Sequence, residues 1–237
     1  ASTPGTGSSV QPAAAHPALK RDATAPPEEE LVRLRESFEA RKFEETARIA
    51  QSILAGYPSN PVALDYAARA RREQISVQVS PTLRAGIASY EQGDYAKAVA
   101  EMEKVLAIDK GNADAQRYRC QADTALSKRD ILALIERHRR AEESKDLLVA
   151  LSVLDSPVLS GQWKGEYMLL FNGYDGISSS ISGITVTFAG RTEATARFSN
   201  LLTAVYKKDG KKKIVFEGAK TWRLRKKAAG WVLTGTE

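Results

Sequence analysis

The stretch that decides the fold of the N-terminal half is GIASYEQGDYAKAVAEMEKVLAID, residues 86–109. Apolar and small side chains recur in it every three to four residues, on both sides of a short polar turn at residues 92–95. The small residues Gly86 and Ala98 allow two antiparallel helices to approach closely, and the ring of Tyr90 can wedge between them. The stretch therefore predicts a tightly packed helical hairpin.

This hairpin resembles a tetratricopeptide repeat, a motif whose two helices pack through small and aromatic residues. The resemblance is carried by eight residues, namely Gly86, Tyr90, Gly93, Asp94, Tyr95, Ala98, Leu106 and Asp109.

A weaker copy of the pattern covers residues 28–60. The two copies are offset by 52 residues, the separation of Phe43 from Tyr95, instead of the about 34 residues of a regular array. A further helix over residues 61–77 must therefore lie between them, and Ser80-Pro81 is expected to begin the next helix. The matching residues of the weaker copy are Leu34, Phe38, Phe43, Leu54, Pro58 and Asn60.

Repeats of this kind usually present a concave groove to a peptide, so the resemblance implies a protein or peptide partner. The alternative is that the helices are only a packing spacer for the rest of the chain. The residues expected to line the groove are Arg35, Glu39, Arg84 and Ser89.

The pattern changes in the C-terminal half. Apolar residues at helical spacing predict one helix over Ile131–Asp146 and another over Gly161–Tyr174. After the second helix, apolar and polar residues alternate, which predicts four antiparallel strands. Gly183 marks a change of phase and predicts a bulge, and Asp209-Gly210 predicts a hairpin turn.

Two helices followed by four strands, closed by WRLRKK at 222–227 and GWVL at 230–233, resemble the nuclear transport factor 2-like superfamily. The resemblance implies the cone-shaped fold of ketosteroid isomerase, with a curved antiparallel sheet and a pocket beneath its first helix. The chain is thus predicted to be a two-domain α+β protein. All-α tetratricopeptide-like hairpins occupy residues 28–128, and the α+β cone occupies residues 129–237.

Residues 1–27 are rich in Ala, Pro, Ser, Thr and Gly, which predicts a disordered linker. The chain begins at Ala1, so we expect that an upstream segment was removed or omitted, and such a tether often follows a membrane anchor; the alternative is a disordered start defined by cloning. Together with the domain order, this favours a periplasmic or extracytoplasmic location in a bacterium; the alternative is cytoplasmic. No apolar run approaches the ~20 residues that span a bilayer, so no integral membrane segment is expected.

The predicted cone pocket offers a candidate site. Enzymes of this fold place a general base there, and His138 titrates near neutrality. No paired carboxylate or second histidine supports it, so we expect no catalytic residue; Asp155, the other candidate base, fits a turn better. The alternative is a ligand-binding or enzymatic pocket near His138. The residues expected in the pocket are His138, Trp163, Tyr167 and Tyr206.

Metal and cofactor sites are not expected. The chain has one cysteine, Cys120, and two histidines, which excludes an intramolecular disulfide and argues against a multi-histidine metal centre. Cys120 is expected to be a small buried residue.

The formal net charge of +6 comes entirely from the C-terminal part, because residues 1–128 hold 17 basic and 17 acidic side chains. Ten lysines and arginines fall between residues 205 and 227, which would attract phosphates or an anionic membrane surface. The alternative is that they are solvated strand ends that prevent aggregation. The expected anion-binding residues are Lys207, Lys208, Lys211, Lys212, Lys213, Arg223 and Arg225.

These observations predict a non-enzymatic scaffold. Its helical array would bind a protein or peptide partner, and its C-terminal domain would bind a small ligand or another protein.

Overall fold

The computed structural model describes residues 26–237, so the linker predicted over residues 1–27 lies outside the described residues except for Pro26 and Pro27. The described chain forms two compact units that divide between Gln78 and Val79. Within it the helices are α1 (Glu28–Glu39), α2 (Phe43–Gly56), α3 (Pro61–Glu91), α4 (Tyr95–Ile108), α5 (Ala113–Ser144), α6 (Leu147–Leu151) and α7 (Pro157–Gly173). The strands are β1 (Tyr174–Phe188), β2 (Glu193–Tyr206), β3 (Lys212–Lys227) and β4 (Gly230–Thr236).

The first unit is held together by an aromatic cluster where α1, α2 and α3 meet. The ring of Phe38 lies 5.5 Å from that of Phe43 and 5.4 Å from that of Tyr66, measured between ring centroids. Asn60 begins α3, because its Oδ1 accepts a hydrogen bond from the N–H of Ala63 at 2.9 Å. A turn, a helix cap and one ring cluster thus define a three-helix motif.

The second unit begins with the same motif. The ring of Tyr90 on α3 lies 5.5 Å from both Tyr95 on α4 and Tyr118 on α5. Asn112 begins α5 by accepting a hydrogen bond from the N–H of Ala115 at 3.0 Å. Each of these residues follows its counterpart in the first unit by 52 positions. The repeating element therefore has three helices, and the additional helix predicted over residues 61–77 is its third.

The helical hairpins are present, but a repeating element of three helices differs from the two-helix tetratricopeptide repeat. The structure shows the helices without showing that family. Ser80-Pro81 does not begin a helix, so that prediction is wrong: α3 runs through Pro81 without interruption. A proline in a helix removes one hydrogen bond, and here the buried faces of Val79 and Gly86 continue on either side of it.

The predicted division at residues 128–129 likewise falls inside a helix, since α5 continues from Ala113 to Ser144. Its buried face runs through Ala122, Ser127 and Ile131. The change in composition near residue 129 therefore marks a change in what α5 packs against, while the chain itself stays helical.

The C-terminal part is a four-stranded antiparallel sheet in the order β1-β2-β3-β4, as the alternating pattern predicts. The pairing of β1 with β2 shifts between Ser182 and Thr185, where Gly183 has φ +65°, so the predicted bulge is confirmed. Helices and an antiparallel sheet share one core, which confirms the α+β class. The core residues are Ile131, Leu134 and Ile135 of α5, Val153, and Ala194, Ala196, Phe198, Trp222, Leu224, Trp231 and Leu233 of the sheet.

The close approach of α3 and α4 at Gly86 generates a prediction about stability. A Cβ at residue 86 would lie 2.7 Å from Met102 Cε and 3.1 Å from Glu101 Cβ. We expect Gly86→Val to lower the free energy of unfolding by about 1–3 kcal/mol, because the buried Met102 side chain must change its position and Glu101 Cβ must shift. Urea denaturation measures this. The control Ala88→Val, at an exposed position of the same helix, should cost only the smaller helix propensity of valine. Equal effects of the two substitutions would contradict the tight contact.

Candidate functional site

The structure brings together three of the four residues expected in the pocket. His138 of α5 lies between Trp163 and Tyr167 of α7 and Trp222 of β3, with ring-centroid distances of 5.4, 5.9 and 5.1 Å. His138 is only 3% exposed. This ring cluster encloses the imidazole, so a ligand cannot reach it directly.

The imidazole takes part in a buried hydrogen-bond network. Its Nδ1 lies 3.3 Å from the carbonyl oxygen of Ala150, and its Nε2 lies 2.8 Å from the Tyr167 hydroxyl. That hydroxyl donates to Glu142 Oε1 at 3.2 Å, and the same carboxylate oxygen lies 3.5 Å from Nε2. His138, Tyr167 and Glu142 thus form one buried polar cluster, in which the phenol bridges the imidazole and the carboxylate.

The environment of Glu142 keeps it ionised. Burial alone raises the pKa of this carboxyl, but the hydrogen bond and charge of His138, the charge of Lys220 and the hydrogen bond from Tyr167 outweigh it. The pKa of Glu142 therefore lies below its usual value. Burial and the neighbouring carboxylate raise the pKa of Tyr167, so that its hydroxyl stays a donor. The network thus presents a fixed negative charge.

A cleft of about 500 Å³ opens in front of this network, between α7 and the sheet. Glu142 and Tyr167 lie on its wall, whereas His138 does not. The remaining wall is mostly apolar and aromatic, with Lys220 held over the Phe216 ring at 4.8 Å from its centroid. The other lining residues are Trp163, Glu166, Leu170, Leu202, Val215, Ala219, Trp222, Thr236 and Glu237.

Tyr206 does not join the cleft, so its placement there was wrong. It pairs with Tyr174 across β1 and β2 at the far end of the sheet, with ring centroids 5.2 Å apart. Lys213 Nζ lies 4.0 Å from the centroid of its ring. Asp155 is also elsewhere, in an ion pair with Lys227.

Glu142, Lys220 and Trp222 also belong to the site, and none of them was predicted there from the sequence. Glu142 follows His138 by one helical turn, and the buried stripe of α5 continues through Ala141 and Glu142. The charged residue Glu142 on that buried stripe is the feature from which its place in the site could have been predicted. The approach of Lys220 depends on the sheet register, which no local pattern reveals.

Five of the ten basic residues between positions 205 and 227 have an acidic partner within 4.0 Å, and Lys207 shares its partner, Asp175, with Lys145. The N–O distances are 3.7 Å for Lys207–Asp175 and 3.1 Å for Lys213–Asp209. They are 3.6 Å for Arg223–Glu237 and 3.8 Å for Arg225–Glu193. Of the expected anion-binding residues, those without an acidic partner within 4.0 Å in the described chain are Lys208, Lys211 and Lys212.

The expected peptide-groove residues lie in different units. Arg35 and Glu39 are exposed on α1 of the first unit, and Arg84 is exposed on α3 in the second. Ser89 is 4% exposed on the α3 face that also carries Gly86, so it cannot contact a peptide as expected. Cys120 is exposed rather than buried, because it lies on the outer face of α5.

Residues 26–237 contain no cluster of three side chains able to hold a metal ion. None of the helices in this part of the chain combines the length and apolarity needed to cross a membrane.

The buried carboxylate of Glu142 predicts a pH dependence of stability. We expect Glu142→Gln to lower the free energy of unfolding near neutral pH by about 1–3 kcal/mol, because buried hydrogen bonds to a charged group are lost. A carboxyl whose pKa is lowered by folding stabilises the protein above its unfolded pKa, about 4.3, and this contribution disappears as pH falls through the folded-state pKa. The difference between the variant and the native chain should therefore shrink in acid. Denaturation curves from pH 7 downward test this, with the exposed Glu103→Gln as control; a difference independent of pH would contradict the lowered pKa of Glu142.

This chain is similar to known proteins in its fold only. No protein-family model matches the chain, and no curated protein matches it. An NTF2-like protein with a cystatin-like fold from Novosphingobium aromaticivorans matches 54% of this chain and 90% of its own, at 19% identity and TM-score 0.43. An NTF2-like superfamily protein from Salmonella enterica matches 48% and 90%, at 16% identity and TM-score 0.41. A hexachlorocyclohexane dehydrochlorinase (LinA) of type 2 matches 49% and 86%, at 9% identity and TM-score 0.43. At these identities and TM-scores the similarity carries no information about activity.

Proposed function

We propose that the cleft between α7 and the sheet binds a small amphipathic organic molecule without converting it. The observation that carries this proposal is the Glu142 carboxylate, which is 3% exposed yet lies on the wall of a cleft of about 500 Å³. Binding pockets for small molecules typically combine apolar walls with a few fixed polar groups. Glu142, oriented by Tyr167 and His138, is such a group.

The charge of the lining selects the ligand's polar end. Three carboxylates, those of Glu142, Glu166 and Glu237, line the cleft with one cation, Lys220, and Glu237 is also paired with Arg223, so one net negative charge remains. A ligand amine or another hydrogen-bond donor would be attracted to Glu142. The aromatic walls, including Trp163 and Phe216, would cover an apolar body.

Binding rather than catalysis is proposed because of the position of His138. His138 is enclosed by three aromatic rings and reaches the cleft only through the Tyr167 hydroxyl. A general base has to lie within hydrogen-bond reach of the proton that it removes. The role of His138 is therefore to hold Tyr167 and Glu142 in place.

A pair of probes with opposite charge tests this proposal. We expect isothermal titration calorimetry to detect phenethylamine binding to the full chain, and 3-phenylpropionate, with a carboxylate in place of the amine, to bind much more weakly. Glu142→Gln should weaken phenethylamine binding by about tenfold or more, because a hydrogen bond to a charged group contributes about 1.5–3 kcal/mol. Glu103→Gln, at an exposed position of α4, is the matched control. Equal binding of both probes, or an unchanged affinity in Glu142→Gln, would rule out this function.

A second candidate function, peptide binding, is favoured by a groove of about 1040 Å³ between α2 and α3 within the first unit. Val77 lies in it with 62% of its surface exposed, beside Phe43 and the aliphatic stem of Arg48. An apolar residue in a groove rimmed by charges suits an amphipathic peptide. This groove differs from the one expected from the sequence, because Arg35 and Glu39 lie on α1.

Selection from a displayed peptide library tests the second candidate. Peptides enriched on the full chain should lose binding to Val77→Asp, because the charge is placed inside the groove. They should retain binding to Val32→Asp, which introduces the same charge at an exposed valine of α1. Peptides that bind Val77→Asp as well as the native chain would exclude the groove.

A further inference from the structure

The 79–237 unit has a second cavity, which shares no lining residue with the cleft. Its volume is about 630 Å³, and it is formed by α5, the connection between β1 and β2, and the end of β3. The lining residues are Arg119, Cys120, Asp123, Thr124 and Ser127 of α5, Phe188 at the end of β1, Gly190, Arg191 and Thr192 of the connection, and Lys226 of β3.

The cavity concentrates positive charge from three separate elements. Arg119, Arg191 and Lys226 line it, against the single carboxylate of Asp123. Asp123 is already engaged by Arg191, with an N–O distance of 3.0 Å. Three cations and one carboxylate leave two net positive charges, whereas the cleft is net acidic.

Two of these cations are held in place by the protein. Arg191 is anchored by its ion pair with Asp123. Lys226 donates from Nζ to the Ser127 hydroxyl at 3.3 Å, and its backbone N–H donates to the carbonyl oxygen of Thr192 at 2.8 Å. A site whose charges are positioned before binding loses less side-chain entropy when a ligand arrives.

Arg119 is the cation without such a partner. Its Nε is buried and has no hydrogen-bond acceptor among residues 26–237, and no carboxylate of that part of the chain lies within 4.0 Å of its guanidinium. Leaving a buried charged donor unpaired is costly, and unsatisfied donors of this kind often mark the place of an ion or ligand. Guanidinium groups match phosphate oxygens particularly well, through two parallel hydrogen bonds.

We propose that this cavity binds the phosphate group of a small phosphate monoester. The dianion matches the two net positive charges, and Arg119 supplies the donors that lack an acceptor. The cavity is larger than a phosphate alone, and the Phe188 ring gives the organic part of the ester an apolar wall. The phosphate could belong to a soluble metabolite or to a phospholipid headgroup, since both present the same chemistry.

Cys120 provides the readout for the test. It is the only cysteine of the chain, its side chain is exposed, and it lines the cavity. We expect glycerol 1-phosphate to slow its alkylation by iodoacetamide, an uncharged reagent, and glycerol with sodium chloride at equal ionic strength to have no effect. Calorimetry should give one phosphate site per chain. Vesicles containing phosphatidic acid form a separate arm: protection by them alone assigns the phosphate to a lipid headgroup, and protection by glycerol 1-phosphate assigns it to a soluble ester.

Three variants decide whether the cavity is responsible. Arg119→Gln should raise the dissociation constant by about tenfold or more, as expected for loss of a hydrogen bond to a charged group. Arg191→Gln should weaken binding as well, and its 74% exposed side chain makes an effect on folding small. Arg129→Gln removes the same charge from an exposed position of α5 outside the cavity, and should leave affinity unchanged. Equal protection by chloride, or equal losses in Arg129→Gln and Arg191→Gln, would overturn the proposal.

Discussion

The continuity of α5 is the constraint on which the second unit depends. A helix of 32 residues is about 48 Å long, and its backbone hydrogen bonds fix the direction of every side chain. Near its start, Tyr118 completes the aromatic cluster of the helical motif. Further along, Ile131 and Ile135 pack on the sheet, and His138 and Glu142 follow on the same face. The helical motif and the sheet therefore cannot rotate independently about this helix, and both cavities of the unit are built along it.

The buried pair of His138 and Glu142 is difficult to explain by stability alone. Removing a carboxylate from water costs several kcal/mol, and well-packed apolar residues of similar size often stabilise a protein as much or more. Here the imidazole packs among aromatic rings, while the carboxylate reaches the wall of the cleft. An apolar replacement would fill the same volume but could not present a charge there. The position of Glu142 thus connects the cost of its burial with the proposed role in binding.

The sequence predicted what depends on local periodicity. The stripes of α1, α2, α4 and α7, the strand order and the bulge at Gly183 follow from spacing of three to four residues, or of two, that burial imposes. The break expected at Ser80-Pro81 failed because proline's local preference competes with a buried face that continues past it. The pocket was found only in part. His138, Trp163 and Tyr167 share apolar helix faces, whereas Tyr206 was placed by residue type, and its strand register moves it to the far end of the sheet.

The distribution of charged residues shows most clearly what cannot be predicted from the sequence alone. A count along the chain finds ten cations between residues 205 and 227, yet four of the seven residues singled out from them face carboxylates from elsewhere in the fold. The N-terminal half, which is neutral by count, contributes Arg119, whose Nε is buried without a partner in the described chain. Attraction for an anion depends on charge that remains uncompensated in space and is partly removed from water, where screening is weak. By that criterion the buried Nε of Arg119, and not the basic strand that dominates the sequence, supports the proposed anion site.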